Sequence, residues 1–186
     1  MSNRPSLLRD RRFLPMFLTQ FSGALNDNVY KQALLLVITY GLIAQQSAQI
    51  STLNNLAALL FILPYFIFSA TAGQIADKYE RAQLVRYLKG AEIVIMLLGT
   101  AGFLLGNLWL LLLALFLMGT QSTFFGPIKY AILPEVLKSD ELMSGNALFQ
   151  SGTSIAILVG MILGGSMIAL SDGNLMWVSG TVLCLA

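Results

Sequence analysis

The sequence contains no histidine and only one cysteine, Cys184. No disulfide can form within the chain, and the Cys/His sets that hold zinc or build thiol–imidazole nucleophiles are excluded. Charge is scarce too: Asp, Glu, Lys and Arg make up 11% of the 186 residues, against about 25% in soluble domains. No glycine-rich phosphate loop is present, because the densest glycines lie inside an apolar run, Gly152 to Gly165. The few cations are scattered through short connections, so no basic face is available for nucleic acid. These absences predict a protein that is not an enzyme, with no metal, no cofactor and no nucleic-acid partner.

What is abundant is apolar sequence. Hydrophobic residues reach 56%, and mean hydropathy is +0.75. A helix needs about 20 apolar residues to cross the hydrocarbon core. Five runs qualify, at 13–43, 53–72, 88–105, 108–125 and 147–170, and a sixth covers 175–186. They are rich in Leu, Ile, Phe and Ala without strand-like alternation, so all are read as helices of a multi-pass membrane protein. The basic N-terminus followed by an apolar run superficially resembles a signal peptide. The run is too long and lacks a small-residue cleavage site, so it is read as a retained first span. The sixth run reaches Ala186 without a closing polar residue, and the expectation is a truncated sixth helix in the N-terminal part of a larger protein.

The connections alternate in charge. Arg4, Arg9, Arg11 and Arg12 precede the first span; Lys78, Arg81, Arg86 and Lys89 follow the second; Lys129 and Lys138 follow the fourth. The loop 44–51 and the Gly106-Asn107 turn carry no charge, and the connection after the fifth span carries only Asp172. Ten of the eleven cations thus fall on one side, Lys31 being the exception. The excess of Lys and Arg in cytoplasmic loops places the N-terminus and both basic loops in the cytoplasm.

Within the first span, Asn26-Asp27-Asn28 and Lys31 interrupt the apolar sequence. A charge at a helix centre costs roughly 2.5–3.5 kcal/mol on insertion scales, so these groups are expected to face a polar pathway. Gln20, Ala24, Asp27 and Lys31 follow spacings of four, three and four and share one helix face. Asp27 and Lys31 can pair one turn apart. Asn26, Asn28 and, on the fourth span, Gln121 join them as candidate substrate contacts. Gly126-Pro127 is expected to break the fourth helix and leave Lys129 near the cytoplasmic mouth. Glu92 lies close enough to Lys89 to pair locally, and Asn54, Asn55 and Gln150 are further candidate pathway amides.

Two patterns carry a resemblance. The connection Gly73-Gln74-Ile75-Ala76-Asp77-Lys78-Tyr79-Glu80-Arg81 resembles the loop 2–3 signature of the major facilitator superfamily, with Glu80 where that signature has a second glycine. Gly73 would let helices approach closely, and Asp77, Lys78 and Arg81 would form a conformational latch. Gly152, Ala156, Gly160 and Gly164 recur every four residues, a ladder for close helix packing. It partly resembles the family's glycine motif in span 5, with Met161 in place of the expected proline. The segments 21–28, Gly126-Pro127-Ile128-Lys129-Tyr130-Ala131-Ile132-Leu133-Pro134-Glu135 and Asn146-Ala147-Leu148 look like the bacterial lysophospholipid transporter branch.

That resemblance implies an all-α membrane fold, the N-terminal six-helix half of a major facilitator with a 3+3 inverted repeat. It implies alternating-access transport of lysophospholipids across the bacterial inner membrane. Implied partners are membrane lipids, the C-terminal half and, as in some members, fused acyltransferase domains. Asp27 would meet a cationic headgroup amine and Lys129 the phosphate, as suits a zwitterionic lysolipid. Asp27 paired internally with Lys31, and Lys129 serving as the latch partner of Asp77, remain open. The fourth span lacks the arginine that proton-coupled relatives often carry. A general small-molecule transporter of the same superfamily, the membrane part of a bifunctional phospholipid acyltransferase and a non-transporting membrane scaffold are the competing readings.

Overall fold

A computed structural model describes residues 7–40, 47–170 and 176–185. Arg4, Asp172, the expected start of the sixth span at Leu175, its end at Ala186 and the expected end of the first span at Ile43 lie outside the described residues. After a 3-10 turn at Leu7–Arg9 come α1 (Leu14–Thr39), α2 (Ser47–Lys78), α3 (Arg81–Leu105), α4 (Leu108–Val136), α5 (Leu142–Leu170) and α6 (Met176–Leu185). Among the described residues there is no strand.

Among the described residues, four helices are long and apolar enough to cross a membrane, with candidate spans Ile50–Lys78, Arg81–Leu105, Leu108–Val136 and Leu142–Leu170. The 26 residues of α1 are also sufficient in length, but its polar centre dilutes its hydropathy. The helices α2 to α5 outrun their apolar cores. The 29 residues of α4 reach about 44 Å at 1.5 Å per residue, against a hydrocarbon core of about 30 Å. Backbone hydrogen bonding continues a helix past the point where hydropathy falls.

That continuation corrects two expectations. Gly73 to Lys78 is not a loop but the last turns of α2, and Tyr79-Glu80 alone separates it from α3. Glu80 adopts φ −61° and ψ 119°, ordinary extended backbone that needs no glycine. Gly126-Pro127 does not break α4, which runs through Pro127 and Pro134 to Val136. In a membrane helix, neighbouring side chains can re-satisfy the carbonyls freed by proline. The α3–α4 turn is the tight one: Gly106 caps α3 at φ 59°, and the Asn107 side chain accepts from the amides of Trp109 (3.0 Å) and Leu110 (3.3 Å). Asp10 plays a related part before α1. It accepts from the Arg12 amide at 2.9 Å and from the Arg12 guanidinium, whose hydrogen bond holds the Asp10 carboxyl below the usual carboxylate range.

The most extensive packing is α1 on α5 and α2 on α4, followed by α3 on α4. Small residues set the first contact. Gly152, Ala156, Gly160 and Gly164 are all buried along one face of α5. A Cβ at Gly160 would lie 2.7 Å from the Leu25 carbonyl oxygen, and one at Gly164 would lie 2.6 Å from that of Val29. Gly119 brings α4 equally close to the Phe61 carbonyl of α2. Gly73, by contrast, has open space where a Cβ would stand. Among the described residues, the closest backbone approaches are made where helices cross deep in the bundle.

Tyr30 joins three helices. Its ring enters the notch left by Gly99 of α3 and meets Phe103 edge-on at 5.4 Å. Its hydroxyl donates to the Leu111 carbonyl of α4 at 2.8 Å. Tyr30→Phe should keep the ring contacts and lose about 0.5–1.5 kcal/mol, the net worth of a typical hydrogen bond. Thermal unfolding in detergent would show the change, and an unaltered midpoint would place no stability on this hydroxyl.

Candidate functional site

A cavity of about 210 Å³ opens between α1, α2, α3, α4 and α5. The face Gln20, Ala24, Asp27 and Lys31 of α1 lines it, as the four-three-four spacing requires. Asn28 joins them, its amide donating to the Ala24 carbonyl at 2.7 Å. From α4 come Gln121, Ser122 and Lys129. Five of the six expected substrate contacts therefore share one cavity. Asn26 does not: it is fully buried away from the cavity, and neither atom of its amide has a hydrogen-bond partner. One helix position corresponds to about 100° of rotation, so adjacency to Asp27 carries Asn26 off the cavity face.

The expected pairing of Asp27 with Lys31 is not formed. Asp27 accepts from the Ser122 hydroxyl at 2.8 Å, and Lys31 Nζ lies 4.2 Å from the centroid of the Phe61 ring. Among the described residues, no ion pair within 4.0 Å joins Asp27 to any cation. The carboxylate is thus held by one neutral donor, and Lys31 turns to α2 instead of back along its own helix. Lys129 likewise sits over an aromatic face, 5.1 Å from the Tyr130 centroid. It lies within α4 and lines the cavity, not the connection to which its sequence position assigned it.

A second charged group on the wall is already satisfied. Glu92 of α3 is 3% exposed and accepts twice from Lys89 Nζ, at 2.8 and 2.9 Å. Gln121 Nε2 donates to the same carboxylate at 3.1 Å. Gly23 of α1 makes room for this pair, since a Cβ there would stand 3.8 Å from both carboxylate oxygens and from Lys89 Nζ. Gln121 links the two carboxylate centres, because its carbonyl oxygen lies 3.5 Å from the Ser122 hydroxyl that serves Asp27. Gln20 donates to Thr153 of α5 at 3.1 Å and closes the wall on that side.

Sequence reasoning missed Phe61 and Tyr65 of α2, whereas the local pairing of Glu92 with Lys89 is formed. The aromatics are four apart, but the stretch 56–68 of α2 that carries them is apolar on every face and offers no polarity contrast to mark an inner side. Asn54, Asn55 and Gln150 do not line the cavity; Asn54 donates to the Thr39 hydroxyl at 3.1 Å. Beside the polar cavity lies an apolar one of about 220 Å³. It shares Lys31 and Phe61 with the first and is closed by Leu34, Leu35, Ala57, Ala58, Ile62 and Leu115.

The expected latch residues fall outside both cavities. Arg81, at the start of α3, forms an ion pair with Glu135 near the end of α4. Lys129 lines the cavity, and no ion pair joins it to Asp77 among the described residues. Asp77 is exposed and makes no ion pair among the described residues, and Lys78 lies 5.7 Å from the Tyr79 ring centroid.

The chain is 32% identical over 170 residues to the lysophospholipid transporter LplT of Photorhabdus laumondii subsp. laumondii, covering 90% of this chain and 38% of that protein. Against the proteins of the same name from Pectobacterium carotovorum subsp. carotovorum and Serratia proteamaculans, identity is 29%. The matches cover 90% and 86% of this chain and 38% and 37% of those proteins. The chain thus spans less than two-fifths of the length of these relatives. No solved structure matches it. Residues 16–186 match the profile of the Major Facilitator Superfamily; a helical membrane chain whose polar residues converge on one intramembrane cavity belongs to that superfamily.

Proposed function

We propose that this chain forms the N-terminal half of a transporter that moves lysophospholipids across the bacterial inner membrane by alternating access. The observation that carries the reading is the state of the charges in the cavity. Asp27 is bound by a hydroxyl alone, and Lys31 and Lys129 rest on aromatic rings. These are groups whose strongest electrostatic partners are left to a ligand. A phosphate can take the lysines, and the hydroxyl or amine donors of a headgroup can take Asp27. The named activity of the relatives supplies the substrate class.

The 3+3 inverted repeat is part of the same proposal. If α1 to α3 correspond to α4 to α6, the packing of α1 on α5 becomes that of α4 on α2, and these are the two most extensive contacts. The basic connections set the N-terminus in the cytoplasm. The second half supplies the other wall of the cavity, consistent with the short share of the relatives that this chain covers. Arg81–Glu135 ties two helices of this half together, so it stiffens the half as a moving unit. Asp77 is then the exposed charge that engages the other half across the cytoplasmic face.

Uptake of labelled lysophosphatidylethanolamine and lysophosphatidylglycerol by spheroplasts carrying the complete transporter tests the reading. Uptake above that of spheroplasts lacking the protein is expected. Well-folded, membrane-inserted protein that takes up neither lipid would overturn it.

A further inference from the structure

We propose that Lys31 selects the headgroup by its net charge, so that the cavity favours an anionic lysophospholipid over a zwitterionic one. This rests on the lysophospholipid reading above and sharpens it. The cavity wall carries Lys31, Lys89 and Lys129 against Asp27 and Glu92, which leaves one positive charge unbalanced. Lys89 and Glu92 neutralise each other in a closed pair. What remains for a ligand is one carboxylate and two cations, Asp27 against Lys31 and Lys129.

A zwitterion and an anion fill that set differently. If an ammonium group takes Asp27, its positive charge stands one helical turn from Lys31. The carboxylate nearest to Lys31 in sequence is then consumed, and two like charges face each other within the membrane. If a glycerol headgroup enters, its hydroxyls donate to Asp27 and bring no charge. Asp27 remains available to balance one lysine, and the phosphate balances the other, so the charges on this wall of the cavity cancel. Lys31 can respond because a ring contact, unlike a carboxylate pair, yields to a phosphate oxygen. Pairing with Asp27 would have removed this freedom.

The location of Lys31 points to a lipid as the source of that phosphate. Its side chain also borders the apolar cavity beside Leu34, Ala57 and Leu115. A phosphate at Lys31 therefore has an apolar wall next to it, where a lipid's acyl chain can lie as it does among lipid tails, whereas a free anion has no group to place there.

The test uses the complete transporter in nanodiscs and measures binding of lysophosphatidylglycerol and lysophosphatidylethanolamine with the same acyl chain. Wild type should bind the anionic lipid more tightly. Lys31→Gln should lower the ratio of the two affinities on the order of tenfold, and Lys31→Arg, which keeps the charge, should retain it. Equal affinities in wild type overturn the proposal, as does a ratio that Lys31→Gln leaves unmoved in folded protein. Glycerophosphoglycerol, the same headgroup without a chain, should compete weakly; competition equal to that of the lipid would overturn the lipid as the source. An intact binding ratio in a protein that moves neither lipid would support the selector and overturn only the transport step.

Discussion

Asp27→Asn should abolish transport while leaving membrane insertion and folding near wild type. The substitution keeps the size of the side chain and an oxygen that can accept from Ser122, whose hydroxyl now donates to the carboxylate at 2.8 Å. The helix therefore loses no packing. What disappears is the cavity carboxylate that, among the described residues, has no ion pair within 4.0 Å, since Glu92 is closed by Lys89 and Gln121. Removing one member of a buried, hydrogen-bonded charge contact costs roughly 2–5 kcal/mol, or about 30-fold and upward in affinity. Initial uptake rates, normalised to inserted protein, measure the loss. Uptake within a factor of about two, far less than a buried charge commands, would make Asp27 a structural residue. Glu92→Gln is the informative companion, because it releases Lys89 into the cavity and should perturb selectivity more than it removes binding.

The second large effect concerns stability and separates two adjacent glycines. Gly164→Ala places a methyl group 2.6 Å from the Val29 carbonyl oxygen, a backbone atom that cannot rotate away. Either α1 and α5 part or the backbone of α1 bends. Overpacking of this kind costs about 1–3 kcal/mol. The loss is concentrated in the most extensive helix contact of the bundle. Gly165→Ala meets only the flexible end of Leu36, at 3.8 Å, an ordinary van der Waals distance. The first variant should melt earlier and give less monodisperse protein in detergent; the second should match wild type. Equal behaviour of the two would show that the ladder does not set the α1–α5 distance. Because the first variant also shifts the backbone that presents Asn28 and Lys31, any transport it retains should be reduced.

Much of the site is legible from spacing alone. Gln20, Ala24, Asp27 and Lys31 share a face because a helix repeats every 3.6 residues, and a face that carries charge cannot comfortably turn to lipid. All four line the cavity. Asn26 shows the limit of reasoning by neighbourhood, since it is adjacent to Asp27 in sequence and on another face in space. Partner choice was harder to read. The spacing of Asp27 and Lys31 permits a pair, but whether it forms depends on what the adjoining helices offer. Ser122 supplied a hydroxyl to the one and Phe61 a ring to the other. Proline was also misleading: Pro127 signals a break in water, but here α4 continues through it.

The sequence by itself determined that the chain crosses the membrane as helices, where most of its apolar cores lie and which face of α1 is polar. Hydropathy and helical period are properties of one segment and need no knowledge of its neighbours. Only the tertiary structure decided which charges were closed to a ligand and which remained open. That outcome depends on α1, α2, α3 and α4 meeting at one level, where a few ångströms decide between a carboxylate, a hydroxyl and an aromatic ring as the partner of each charge. Nothing in the order of residues along a single helix states which group that will be.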